Sequence, residues 1–358
     1  MVNQQNKTYK VLGIMSGTSL DGIDLCLSEF KRIGKSWEYL ILAAETYSYS
    51  PDWDSKLRSV DSKSAVDLIE LDFGYGKLIG EFANKFLSTF NQNADLIASH
   101  GHTIFHQIDK GFTYQLGNGA AICAETGMTC ISDFRSLDVA LGGQGAPLVP
   151  FGDEYLFPTF NACINLGGIA NLSFKKNSNR LAYDICACNM VLNHFMNKYL
   201  QKAFDESGAF SQTGKMIPSL YDELNSFKYF TRKPPKSLGK EWVFEKIIPL
   251  MENYNGTLAD KLYTFTKHCA HQISNTLIFN NVTKDILFTG GGCKNTFLIE
   301  LLKAEGLSFE LPDEKTIDYK EALIFAFLGL FRYLGHINTL KSVTGASKNS
   351  SGGNIFIP

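Results

Sequence analysis

The feature that most restricts this chain is an order of elements that occurs twice. A strand breaks into a glycine-containing turn and resumes, a third strand follows, then helix, then a short buried strand ending in glycine. The first copy begins with apolar runs at 8–15 and 23–30, joined through "GIMSGTSLDGID" (13–24). It continues through a strand at 38–48 and a helical stretch at about 52–90 to "ADLIASHG" (94–101). The second opens with "ACINLGGIANLSFK" at 162 and a third strand, "LAYDIC". Helices follow at about 188–200, 215–227, 243–254 and 257–280, and "DILFTGGG" (285–292) closes it. β-Branched and aromatic runs bounded by turn residues mark the strands, and three-four apolar spacing marks the helices. "FTYQL", "GAAICAETG" and "TCISDF" read as a β–α–β unit, and "CKNTFLIELLKAEG" and "KEALIFAFLGLFRYLG" as helices. Only the order of elements repeats. Alternating strands and helices predict an α/β fold, and 358 residues exceed the usual single core, so two lobes are expected. The first covers 1–130 with a C-terminal segment at about 337–358; the second covers 131–336.

The glycine turns carry the first functional signal. Asp-Gly between β-formers is a hairpin signal, and a hairpin needs only about two turn residues. Here Ser16, Gly17, Thr18, Ser19, Asp21, Gly22 and Asp24 are small or acidic across nine positions. Such a loop can aim several N–H groups and hydroxyls at one anion. If the lobes face each other, "SGTSLDG" and "LGGIAN" meet in one cleft, and two nests in equivalent positions suit a ligand with several phosphates. A third run, "TGGGCKN", suits close approach to a flat ligand such as adenine. There is no GxxxxGK[ST] and no GxGxxG, so neither a P-loop nor a Rossmann fingerprint is present.

Net charge is −2, which gives no basic surface for nucleic acid. No apolar run of transmembrane length and no apolar leader appears, so a cytoplasmic protein without membrane contact is expected. The eight cysteines lie mostly in apolar segments without a CxxC pair and read as reduced thiols. Cys186 and Cys188 admit a redox or metal site, but no second pair of soft ligands has metal spacing. "HGHTIFH" places His100, His102 and His106 at a spacing that could ligate zinc, but no partnering carboxylate is placed by sequence.

Together, "GIMSGTSLDGID", "ASHGHTIFHQ", "SDFRSLDVALGGQGAPLVP", "NLGGIANLSF", "TGGGCKN" and "VTGAS", in this order, resemble the anhydro-N-acetylmuramic acid kinases. The resemblance implies a two-lobed actin/hexokinase/Hsp70-like fold, with each lobe a mixed sheet flanked by helices and ATP in the interdomain cleft. It implies opening of the 1,6-anhydro bond of anhydro-N-acetylmuramic acid by water as O6 receives the γ-phosphate, in murein recycling. The ATP loop maps onto Gly17, Thr18, Ser19, Leu20, Asp21, Gly22, Ile23 and Asp24. Further nucleotide contacts map onto Gly167, Gly168 and Asn171, and onto Gly290, Gly291, Gly292 and Asn295. The catalytic aspartate is Asp184. Substrate contacts map onto Thr103, Arg135, Gln144, Asn189 and Glu321. Mg²⁺ is held through phosphates and water rather than by direct protein ligands, and a homodimer is implied. Two positions depart from the family pattern: "ICAC" (185–188) replaces a glycine- and proline-containing turn, and His102 replaces a glutamine.

A carboxylate at a strand end can be the base that activates water, and Asp184 ends "LAYD". The same position also suits a helix cap. Asp21 and Asp24 are outer-shell candidates for Mg²⁺, and Arg135 is a fork for the lactyl carboxylate. Two other readings stand beside this one: a kinase for another anhydro-sugar such as levoglucosan, and a nucleotide-binding regulator without chemistry. The slim 185–188 stretch is expected to turn the chain from strand to helix without glycine, with Asn189 capping the helix.

Overall fold

The computed structural model describes residues 7–17, 20, 22–34, 36–177 and 179–358. By contact the chain divides into two units, Met1–Pro158 with Tyr319–Pro358, and Thr159–Asp318. Each is a mixed β-sheet with helices packed on it, the α/β class that the repeated order predicts.

In the first unit β1 (Thr8–Ser16), β2 (Ile23–Ile33) and β3 (Ser36–Tyr47) form an antiparallel meander. β4 (Leu96–Gln107) lies parallel to β1, and its outer half pairs with β5 (Phe112–Leu116). β6 (Cys130–Ser132) runs parallel to β4 and carries the short C-terminal strand Asn354–Phe356 on its free edge. These pairings correct the expected boundary: residues 131–158 and 319–336 belong with the first unit. β6 joins its sheet, and the helix Glu314–Tyr333 packs on β1 so closely that a Cβ on Gly13 would lie 1.9 Å from the Ala322 carbonyl oxygen.

The helical stretch expected at 52–90 is two helices, α1 (Pro51–Arg58) and α2 (Ala65–Thr89). Ser64 divides them by capping α2 through the Asp67 N–H, as Ser50 caps α1 through the Trp53 N–H. α3 (Gly119–Thr126) is capped by Asn118, and α4 (Ser136–Ala140) and α5 (Val149–Leu156) follow. The sheet and α2 enclose a core that includes Leu12, Ile14, Leu25, Tyr75, Ile79 and Phe86.

The second unit has β7 (Ala162–Leu166), β8 (Ile169–Lys176), β9 (Asn179–Ala187) and β10 (Ile286–Thr289), in the order β10-β7-β8-β9. α6 (Asn189–Leu200) follows β9, and the helix Leu258–Phe279 supplies Leu262, Phe265 and Ile273 to the core. All eight cysteines are buried free thiols.

Three buried histidines are held neutral. His268 Nδ1 lies 2.7 Å from Asn225 Oδ1, an acceptor that requires the proton on Nδ1. Burial pushes His268 down to about 3 and His102 down to about 4, and it drives His100 well below the ordinary value. On acidification the unfolded chain therefore takes up protons first, and stability is lost as pH falls from about 6.5 toward 4. Each of His102 and His268 is expected to cost about 2 kcal/mol by pH 5. Urea melts at pH 7 and pH 5 check this; coincident midpoints would contradict it.

Candidate active site

The carboxyl end of β1 is where the first glycine loop leaves the sheet. A register shift between Ile14 and Ser16 sets Ser16 opposite His102 on β4. Its hydroxyl lies 3.1 Å from His102 Nδ1 and 2.7 Å from the Tyr49 hydroxyl, and it accepts from the Tyr75 hydroxyl at 2.8 Å. The two tyrosine oxygens are 2.7 Å apart. This buried network ties the start of the loop to α2 and β4. Sequence reasoning missed it, because its four members are separated by up to 86 positions. Gly17, Leu20, Gly22 and Ile23 lie on or beside the loop; Thr18, Ser19 and Asp21 lie outside the described residues. Leu20 adopts φ +62°, and Gly22 adopts φ +146° against Thr46 and the Tyr47 carbonyl. Asp24 accepts from the Thr46 hydroxyl at 2.6 Å.

Arg135 is a half-buried cation rather than part of a surface ion pair. Its Nε donates to His100 Nε2 (2.9 Å) and its Nη1 to the Gly145 carbonyl (2.7 Å), with the Phe325 ring 5.9 Å away. Because Nε can only donate, His100 Nε2 is an acceptor and the imidazole is neutral. Burial lowers Arg135 to about 10, opposed by Glu321 and Asp138. Burial raises Glu321, opposed by Arg135 and reinforced by Asp24. The first unit thus brings Arg135, Glu321 and Asp24 into one electrostatic neighbourhood.

Two sequence motifs are joined here. Asp138 accepts from the Gly145 N–H and the Thr344 hydroxyl, both at 2.8 Å, which couples "GGQGAP" to "VTGAS". The Gln144 side chain is exposed, while its N–H bonds the Thr344 carbonyl. The Thr103 hydroxyl accepts from Gln115 at 3.4 Å. His106 Nδ1 pairs with the Thr113 hydroxyl, and among the described residues no three His, Cys, Asp or Glu are placed to hold a metal.

In the second unit Gly167 and Gly168 form the two-residue turn between β7 and β8. Their carbonyls accept the first N–H groups of α6, from Cys188, Asn189 and Met190. Among the described residues neither glycine's own N–H donates to a backbone acceptor, which leaves two adjacent donors available. Gly290 has φ +87°, and a Cβ there would sit 2.2 Å from Asn165 Oδ1 and 3.0 Å from the Leu166 backbone. Gly291 and Gly292 follow it in a short 3-10 turn, and Asn295 spends its side-chain oxygen capping the helix Thr296–Ala304 through Leu298 N–H (2.9 Å).

Asp184 lies within β9, opposite Asn171. The expected turn at 185–188 is corrected: the strand continues to Ala187, with the extra residue taken up as a bulge beside Ala170/Asn171. Ile185, Cys186, Ala187 and Cys188 are buried, and the Cys269 thiol donates to the Ala187 carbonyl at 3.3 Å. Apolar burial holds this segment as strand without glycine. Asn189 does not cap α6 either, because its Nδ2 donates to the Leu166 carbonyl at 2.9 Å and α6 has no side-chain cap. Asp184 Oδ2 accepts from Leu238 N–H at 2.8 Å, and among the described residues Oδ1 accepts from no protein donor. Burial raises the carboxyl above its ordinary value, partly offset by that N–H. One oxygen is anchored, and the other is open to a proton.

Residues 9–358 match the family model described as anhydro-N-acetylmuramic acid kinase. The chain belongs to that family. The anhydro-N-acetylmuramic acid kinase of Aliivibrio fischeri is 34% identical over 371 residues, covering 97% of this chain and 99% of its own. That of Francisella tularensis subsp. novicida is 35% identical over 363 residues, covering 94% and 95%. Among solved structures, the activator of the 2-hydroxyisocaproyl-CoA dehydratase from Clostridium difficile with bound ADPNP is 14% identical at a TM-score of 0.43, covering 91% of this chain and 97% of that one. Among the described residues no helix is long and apolar enough to cross a membrane.

Proposed function

We propose that this member of the anhydro-N-acetylmuramic acid kinase family converts 1,6-anhydro-N-acetylmuramic acid, ATP and water to N-acetylmuramic acid 6-phosphate and ADP, in the cytoplasm. The observation that carries the reading is the Asp184 carboxyl: half-buried, anchored through Oδ2 alone, and raised above its ordinary value. In this reading Oδ1 takes a proton from water as its oxygen bonds to C1 of the sugar. The C1–O6 bond breaks, and O6 takes the γ-phosphoryl group. ATP with Mg²⁺ supplies that group, and the protein's part is mainly position and charge. The N–H groups of Gly167 and Gly168, which among the described residues bond no backbone acceptor, suit phosphate oxygens. Asp24, a half-buried oxygen donor, suits the outer shell of a hard cation. Gly290–Gly292 suit the adenine, and Arg135 with Glu321 suits the sugar. The open Oδ1 argues against the regulator reading.

The test is mass analysis of products after incubation with ATP, Mg²⁺ and the anhydro-sugar in ¹⁸O-water. One phosphate and one ¹⁸O at C1 are expected. A phosphorylated sugar without ¹⁸O would exclude water as the nucleophile, and no phosphorylated product would exclude the kinase.

A further inference from the structure

Residues 228–240, "KYFTRKPPKSLGK", hold five cations and no acid in a chain whose net charge is −2. Among the described residues none of the five makes an ion pair with Asp or Glu. The segment borders a cavity of 320 Å³ lined by Lys228, Tyr229, Arg232, Ser237, Leu238 and Trp242. Two of these six residues bond directly to the proposed base. The Tyr229 hydroxyl donates to the Asp184 carbonyl at 2.6 Å, and Leu238 N–H donates to Oδ2. The Tyr229 and Trp242 rings, 5.8 Å apart, supply an apolar wall, and Trp242 is braced by Phe227 at 5.3 Å. Arg232 stands close enough for its charge to bear on both Tyr229 and Lys236.

We infer that this cavity is a carboxylate subsite, which reads an acidic arm carried by the sugar whose anhydro bond faces Asp184. Uncompensated like charges beside a cavity are relieved by an anionic ligand, and a guanidinium forks onto a carboxylate in two hydrogen bonds. Tyr229 and Leu238, which line the cavity, also bond Asp184, so the proposal sets the anion beside the reacting sugar rather than at a remote surface. Arg135, the carboxylate clamp expected from sequence, already spends Nε and Nη1 on His100 and Gly145. The inference rests on the proposed kinase reading for the identity of the sugar. Two sources share the chemistry: the lactyl carboxylate itself, and the terminal carboxylate of a short peptide amide-linked to it.

The experiment compares wild type with Arg232→Gln/Lys228→Gln, both exposed positions. Three sugars are used: the anhydro-sugar with its free lactyl acid, its lactyl methylamide, and a lactyl-linked tripeptide. Turnover and calorimetric binding are both measured. For a carboxylate-bearing sugar the double variant is expected to raise KM and Kd at least about tenfold with kcat within about twofold, and to leave the methylamide unchanged. Loss confined to the free acid assigns the lactyl carboxylate, and loss confined to the tripeptide sugar assigns the peptide end. Equal values for wild type and variant with both acids, or equal loss with the methylamide, would overturn the subsite. If wild type binds but phosphorylates none of the three, the kinase reading fails, and the binding preference still decides the subsite.

Discussion

Asp184→Asn is expected to lower turnover by roughly a hundredfold or more, the scale of a lost general base, while nucleotide affinity stays within about twofold. Asparagine keeps the acceptor for Leu238 N–H, so the anchor seen at Oδ2 survives and the fold is undisturbed. What is lost is the oxygen that can take a proton. The pH profile supplies a second reading of the same group. Burial raises the carboxyl, so it holds its proton to higher pH than an ordinary aspartate. The acidic limb of kcat/KM should therefore fall above about pH 4, the ordinary aspartate value, with activity lost below the limb. Steady-state kinetics of the purified variant together with the wild-type profile check both. Near wild-type turnover in the asparagine variant would remove Asp184 from the chemistry.

Lys320→Ala is expected to be strongly destabilising for the first unit. Lys320 Nζ lies 2.7 Å from Asp153 Oδ1, with the two side chains only 5% and 3% exposed. The Phe157 ring covers the ammonium at 5.2 Å. Removing one partner of such a pair strands a buried charge at a cost of about 3–5 kcal/mol. For a unit of this size that lowers the thermal midpoint by about 10 °C. The double replacement Lys320→Met/Asp153→Leu should recover most of the loss, because two apolar groups of similar volume leave no charge behind. Calorimetry of both variants is the measurement. If the single and double variants melt together, the pair is not what stabilises α5 against the helix Glu314–Tyr333. The substitution also bears on the neighbouring Glu321, whose carboxyl Lys320 helps to hold down.

Much of the architecture follows from local chemistry. The strands β1–β3 and β7–β9 are declared by β-branched and aromatic runs interrupted at glycine, and hairpin register depends on turn residues a few positions away. The two glycines between β7 and β8 are readable for the same reason. That their carbonyls accept from the start of α6 is not local, because Cys188, Asn189 and Met190 lie about twenty residues on. Capping is local as well: Ser50, Ser64 and Asn118 each bind an N–H within three residues, which is why helices that apolar spacing alone would fuse are in fact separate.

What tertiary structure decided depends on partners far apart in the chain. Residues 185–188 look like a turn by position, yet the apolar interior of the second unit buries all four and draws the strand onward to Ala187. Asn189 looks like a cap, but its Nδ2 donates to the Leu166 carbonyl, 23 residues back, and among the described residues its Oδ1 accepts from no N–H of its own helix. Arg135 reads as a fork for the lactyl carboxylate, and only the fold shows that its Nε and Nη1 are engaged by His100 and Gly145 beside the Phe325 ring. Ser16, Tyr49, Tyr75 and His102 have no shared spacing, and only the parallel pairing of β1 with β4 beside α2 gathers them. The sequence alone determined which residues could turn, cap or carry charge, because those properties act over one or two turns of chain. The fold decided which of them are dry, paired or left open, because burial and long-range hydrogen bonding exist only once the sheets have closed.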